Sequence, residues 1–209
     1  EGLKLVHNGS KADQTNGYNQ LNIVACVGDD QGYNLLPMSS DLISTAKEPD
    51  STKQILQDRL IDIAIKCGGR GIFVFDRGYD DRKTIGFLVD NGMRFIIRGM
   101  GVRSIREGCE EKNFDQAVKA MKFQYELPGF KPNETFRCAT RRIGVRTDDH
   151  PSKRAASVEV SLVVVHKYVE NKRKGKEFYL LCDFADKNMP EEQVIKEAIN
   201  GYRKRWKIE

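Results

Sequence analysis

The sequence predicts an α/β fold, a mixed sheet with flanking helices, and three features carry that prediction. Residues 72–75, Ile-Phe-Val-Phe, form an unbroken apolar run followed by a helical stretch and a second apolar run, Met93 to Ile97. Strand, helix, strand within about thirty residues is a βαβ unit with a parallel pair. Two further stretches, near 51–67 and 190–209, repeat apolar residues at helical period. Between them, 100–187 reads as β-rich pieces divided by Pro, Gly and charged turns.

Each element has its own signal. Residues 20–27 read as a strand, Gly28 to Gly32 as a turn and 33–38 as the returning strand of a hairpin. Ser51 stands three residues before Gln54, a capping-box spacing, and Leu56, Leu60, Ile63, Ala64 and Cys67 share one helix face that Gly68 ends. A four-residue apolar run reads as a central strand covered on both faces; here it ends at Asp76. Residues 80–90 look helical and close at Asn91-Gly92; the strand from Met93 ends in Arg98. Asn113 to Lys122 fits a short helix, and strands are expected over 121–127, 135–146, 157–169 and 176–184, with a hairpin tip at Lys172–Lys176. In the last helix Pro190 suits the first position, Glu191 and Glu192 suit the N-terminal dipole, and Ile195, Ile199, Tyr202, Trp206 and Glu209 form one stripe.

Composition narrows the class. The 209 residues are 39% hydrophobic, with ten Phe and seven Tyr, so a core can form and wholesale disorder is excluded. Mean hydropathy is −0.56, and no apolar run approaches the ~18 residues of a membrane span. The start, Glu1-Gly2-Leu3-Lys4, is charged where a signal peptide is apolar, and it lacks an initiator Met, so a piece of a longer chain is expected. Five cysteines without a C-x-x-C pair read as reduced core residues of a cytoplasmic protein rather than a zinc site. His7, His150 and His166 are scattered and outline no catalytic triad. Net charge is +5, yet residues 131–176 alone carry twelve Lys plus Arg against five Asp plus Glu. That basic stretch, with Arg141, Arg142, Lys172 and Arg173, is either a polyanion-binding surface or a set of solvated hairpins.

The candidate chemistry rests on a few side chains. Asp76 stands where a parallel strand runs out, the place where open α/β sheets gather ligands, and Gly78 frees the backbone after it. Capping the helix near 80 is its structural alternative, although Asp80 and Asp81 are better placed for that. Glu209 puts a carboxylate on a buried stripe, which asks for a partner or a metal unless the chain simply ends there. Tyr202, Arg205 and Glu209 fall within about 60° around one helix. Arg205 is therefore suited either to a phosphate, bidentately, or to an i,i+4 pair with Glu209.

Two stretches together resemble a known family. Tyr202-Arg203-Lys204-Arg205-Trp206-Lys207-Ile208-Glu209 resembles the Y-x-x-R-x-x-x-E part of the YREK signature of DDE transposases of the bacterial insertion-sequence IS-four family, and Phe75-Asp76-Arg77-Gly78-Tyr79 resembles their second-aspartate motif. Gly9-Ser10 with Gly17-Tyr18 and the hairpin resembles the segment after the first catalytic aspartate. The resemblance implies an RNase H-like core divided here into 1–99, a β-rich insertion over 100–187, and a catalytic helix over 188–209. It implies Asp76 and Glu209 as catalytic, metal-binding carboxylates for two Mg²⁺ ions (Mn²⁺ as substitute), and Tyr202 and Arg205 as DNA contacts. It further implies DNA as partner, a homodimer in the synaptic complex, and strand cleavage and transfer as the reaction. No first aspartate stands in the expected place: Asp13 falls in a polar loop, Asp29 and Asp30 in a hairpin turn. The signature's Lys falls seven residues past Glu209 and no N-terminal DNA-binding domain is present. The chain alone is therefore expected to bind Mg²⁺ poorly and not to nick DNA. A domesticated, non-catalytic DNA-binding protein and another RNase H-like nuclease are the alternatives. A haloacid-dehalogenase-like phosphatase is discounted because Gly78 stands where its second Asp belongs.

Overall fold

The computed structural model describes residues 4–8, 13–28, 32–43, 51–107, 110–147, 157–186 and 188–205, with side chains left undescribed at 4–8, 13–17, 51 and 107. The expectations for Glu209, Trp206, Cys109, His150, Asp29, Asp30 and Gly9-Ser10 lie outside these residues. The chain divides into two compact units, essentially residues 1–70 and 71–207.

In the first unit β1 (Lys4–Asn8) pairs antiparallel with β2 (Asp13–Gly17), so Asp13 falls at a strand start rather than in a loop. The predicted hairpin is present but longer: β3 (Asn19–Gly28) pairs with β4 (Tyr33–Ile43), with a register shift at Ile23/Val24. Helix α1 (Ser51–Lys66) buries Leu56, Leu60 and Ile63. It stops at Gly68, whose φ of +60° suits glycine, while Gly69 N–H donates to the Ala64 carbonyl at 2.8 Å. Gln54 donates its amide to Asp58 at 2.8 Å.

An ion pair ties β4 to α1. Arg59 donates through Nε and Nη2 to both Asp41 oxygens, at 2.8–3.3 Å, and Ser39 Oγ donates to Oδ2 at 2.6 Å. The Arg59 guanidinium, then Ser39, hold the Asp41 carboxyl down at about 2 instead of 3.8. A depressed folded-state value means the tie contributes fully above the ordinary carboxylate range and fades as pH falls from 3.8 toward about 2. Hydrogen exchange across β4 and α1 is therefore expected to quicken over that window, and Asp41→Asn is expected to remove this acid limb.

The second unit begins with β5 (Phe73–Phe75), a 3₁₀ turn (Arg77–Tyr79), α2 (Arg82–Asp90) and β6 (Phe95–Gly99), and β5 and β6 are parallel. The predicted βαβ unit is thus present. Asp81 caps α2, accepting from Thr84 N–H at 3.0 Å and Thr84 Oγ1 at 2.7 Å. Then follow β7 (Ser104–Glu107), β8 (Glu110–Asn113), α3 (Phe114–Lys119), β9 (Tyr125–Pro128), β10 (Glu134–Arg146), β11 (Ser157–Val169), β12 (Lys172–Arg173), β13 (Phe178–Asp183) and α4 (Glu191–Arg205). α3 opens with a capping box between Asn113 and Gln116.

β5 to β13 form one nine-stranded sheet in the order β5-β6-β13-β11-β10-β7-β8, with β12 beside β11 and β9 beside β10. It is mixed and mostly antiparallel; seven of its strands come from 100–187. Two expectations change. Residues 73–75 are not a central strand: among the described residues β5 pairs with β6 alone, and strands covered on both faces lie further in, as in β6, where Phe95, Ile96 and Ile97 are fully buried, and in β11 and β13. The short apolar run marks burial by α4 and by its aromatic neighbours, not a central place. The tip predicted at 172–176 lies at Glu170-Asn171, both at positive φ, because that conformation matches the twist of a tight hairpin and Asn tolerates it well.

The registers run straight across the sheet, so residues in one row share a face. One face (Ile96, Leu180, Cys182, Val163, Val165, Phe136, Cys138) meets Val194, Ile195, Ala198, Ile199 and Tyr202 of α4 in the main core. Gly201 lets the helix approach: a Cβ there would stand 2.6 Å from Ile96 Cδ1. The Pro190 carbonyl accepts from the N–H groups of Gln193 and Val194, so the proline sits at the N-cap of α4 rather than at its first helical position. On the other face the Phe114 ring of α3 lies 5.0 Å from Tyr179. Cys138 and Cys182 are free, buried core residues whose thiols burial pushes up, Cys138 to about 12; Cys26 and Cys67 are free and half-buried. No described helix is long and apolar enough to cross a membrane.

Candidate functional site

Asp76 leaves β5 in extended backbone (φ −80°, ψ 171°), and its side chain makes no capping hydrogen bond. Capping α2 is the work of Asp81 instead, which leaves the Asp76 carboxylate out of that role. Side-chain alternation along β5 puts it on the α4 face, with Val74. There it meets the stripe of α4. Tyr202, whose body is 1% exposed, donates its hydroxyl to Asp76 Oδ1 at 3.4 Å, although the two residues are 126 positions apart. Arg205 Nη2 lies 4.0 Å from the same oxygen, and its guanidinium stands 5.5 Å from the Tyr202 ring centre.

Sequence reasoning missed a fourth member. Arg98, near the carboxyl end of β6, donates Nη1 to Tyr202 Oη at 3.5 Å and lies 6.0 Å from the Phe178 ring centre. The signal was present: Arg98 ends the strand parallel to the one that Asp76 ends, and both carboxyl ends face one edge. The four groups are one phenol, two guanidiniums and one carboxylate.

The contacts around Asp76 are long, and its side chain remains 43% exposed against 16% for Arg205. A solvent-facing pair at 4.0 Å contributes little to stability. Its carboxylate oxygens thus stay open to a hard cation, while the two arginines hold positive charge beside it. Tyr79, on the turn that follows, has its phenol pushed up by burial and secondarily by the Asp76 charge.

The basic candidates are placed differently. Arg141 and Arg142 are neighbours on β10 and so point to opposite faces, Arg142 to the α4 face and Arg141, exposed, to the other. They do not form one patch. β10 is four strands from β5, about 19 Å across the sheet. Arg142 donates to Ser161 Oγ and Glu159 Oε2, each at 3.3 Å. Lys172 and Arg173 sit beyond the end of β11, which runs parallel to β5 and β6, so they share Asp76's edge of the sheet. Val169, opposite Lys172, lies six residues past the row that contains Arg98, about 20 Å along the strand. Arg173 is paired with Glu177. Arg137 with Glu126, Arg146 with Glu111 and Lys167 with Glu134 likewise compensate much of this stretch's positive charge.

Among the described residues no three His, Cys, Asp or Glu side chains group to hold a metal ion; Glu209 is not one of them. No protein-family model matches the chain, and no curated protein matches it.

Proposed function

We propose that this chain belongs to the catalytic core of a DDE transposase with an RNase H-like fold, carrying out metal-dependent phosphoryl transfer on DNA. One observation carries the reading: Asp76, Tyr202 and Arg205, the residues on which the resemblance rests, meet at one end of the sheet from opposite ends of the second unit.

The donor chemistry fits Mg²⁺, which prefers oxygen ligands and keeps several waters, so a few carboxylates suffice. Asp76 offers such oxygens uncommitted to capping. Asp76 and Glu209 would hold the metal, and Mg²⁺ bound there would activate the attacking hydroxyl and stabilise the leaving oxygen. Arg205 and Arg98 take the phosphate charge, the planar guanidinium matching two phosphate oxygens at once. Tyr202, anchored in the core, holds its hydroxyl between Arg98 and Asp76 and so fixes where both stand. DNA is the partner, and two copies would bring two transposon ends together.

The test uses the full-length protein that carries this chain, with DNA from the flanks of its gene and Mg²⁺ or Mn²⁺. Cleaved and joined products support transposition. Cutting without joining favours the nuclease alternative, and binding without either favours a domesticated DNA-binding protein.

The sheet geometry adds an expectation for DNA binding. A duplex lying across the α4 face reaches Arg142 and not Arg141. Arg142→Gln is expected to reduce the slope of log affinity against log salt by about one, uniformly across sequences, while Arg141→Gln leaves it unchanged. The opposite ranking in a fluorescence-anisotropy salt series places the duplex on the other face; two unchanged slopes leave only solvated hairpins.

A further inference from the structure

We infer that Asp80 and Arg103 form a buried clamp between the two turns that leave the parallel strands, and that this clamp positions Asp76; the positioning role rests on the reading of Asp76 as a catalytic carboxylate. Asp80 has the sequence signature of a helix cap, but Asp81 does that work. Its side chain is instead fully buried. Oδ2 accepts from Met100 N–H at 2.6 Å, and Oδ1 lies 2.5 Å from Arg103 Nη2, with the Arg103 side chain 9% exposed.

The two ends of this link matter by position. Asp80 closes the turn after β5, in which Tyr79 N–H donates to the Asp76 carbonyl at 3.0 Å and Asp80 N–H to the Arg77 carbonyl at 3.2 Å. Met100 and Arg103 belong to the turn after β6, two and five residues past Arg98, and Arg103 N–H donates to the Met100 carbonyl at 3.0 Å. One carboxylate therefore ties together the two segments that carry Asp76 and Arg98.

Such a pair is costly as a stabiliser. Burial pushes the Asp80 carboxyl up, against the pull of Arg103 and the Met100 N–H. Buried ion pairs are often replaceable by apolar residues without loss of stability, so their presence is better explained by the geometry they fix. Asp76 needs that help: among the described residues its side chain meets only the Tyr202 hydroxyl at 3.4 Å and Arg205 at 4.0 Å, so the backbone that presents it must set its place together with Tyr202.

The experiment is residue-resolved amide hydrogen exchange on the whole chain, for Asp80→Asn, Arg103→Gln and Arg103→Lys. With a clamp, Asp80→Asn and Arg103→Gln each speed exchange at Tyr79 and at Arg103 together, by roughly tenfold or more. The β6 amides of Ile96 and Ile97 stay protected, and Arg103→Lys, which keeps the charge, retains most of the protection. Exchange that quickens only in the turn carrying the substitution, or in neither, overturns the clamp. Should Asp80→Asn fail to fold, Arg103→Gln decides alone. In the full-length protein Asp80→Asn and Arg103→Gln should lower DNA-cleavage turnover about tenfold with DNA affinity unchanged, while Arg103→Lys keeps most of the turnover. If Asp76→Asn leaves cleavage untouched, the catalytic reading falls, while exchange still decides whether the two turns are coupled.

Discussion

Asp76→Asn in the full-length protein is expected to lower the proposed strand cleavage and strand transfer on the order of 10³-fold, the rate equivalent of the several kcal/mol of charge stabilisation a bound metal supplies. The fold survives the change. Asp76 makes no capping bond, stands at the exposed rim of the sheet, and its ion pair with Arg205 is long; substitutions at such positions usually move stability by less than about 0.5 kcal/mol. Far-UV circular dichroism and the melting temperature should match wild type, and affinity for DNA should persist because Arg98 and Arg205 remain. An active Asp76→Asn protein removes metal-dependent chemistry from this site.

Tyr202 separates packing from chemistry. Tyr202→Ala empties a fully buried aromatic position in the core that α4 shares with the sheet, where Phe178 lies 6.3 Å away ring to ring. Truncations of this kind cost about 3–5 kcal/mol, or roughly 10–17 °C in melting temperature for a unit of this size. Activity goes with the helix. Tyr202→Phe keeps the ring and deletes only a hydroxyl whose hydrogen bonds are 3.4 and 3.5 Å long. Its stability cost should stay within about 1 kcal/mol. Turnover should nevertheless fall about tenfold, because the hydroxyl sets the spacing between Arg98 and Asp76. Equal loss of stability in both variants contradicts the assignment of Tyr202 to both roles.

Much of this arrangement was legible in the residues. The 3.6-residue repeat of α4 identified Ile195, Ile199 and Tyr202 as a buried face because a helix must cover its apolar stripe; Val194 and Ala198, which widen that face, came only with the structure. The βαβ unit followed from apolar runs divided by a helical stretch. What sequence could not give was register. Which row of β10 faces which row of β6 depends on pairings through β11 and β13, and those pairings decide that Arg142 rather than Arg141 shares the α4 face. Order in the sheet was hidden for the same reason: a run of three or four apolar residues fits a strand end buried by a helix as well as a central strand. The role of Asp80 was hidden because capping and ion pairing ask for the same side chain, and its partner Arg103 comes from a separate turn.

The central claim is that Asp76 and Glu209 hold divalent cations in one shared site. A crystal structure of the full-length protein soaked with Mn²⁺ tests it most directly, through the anomalous signal of the metal. The expected result is Mn²⁺ bonded to carboxylate oxygens of Asp76 and of Glu209, the ions no more than about 4 Å apart, within reach of Arg205. A Mn²⁺ ion bound elsewhere, or a Glu209 carboxylate on the far side of the sheet from Asp76, contradicts it.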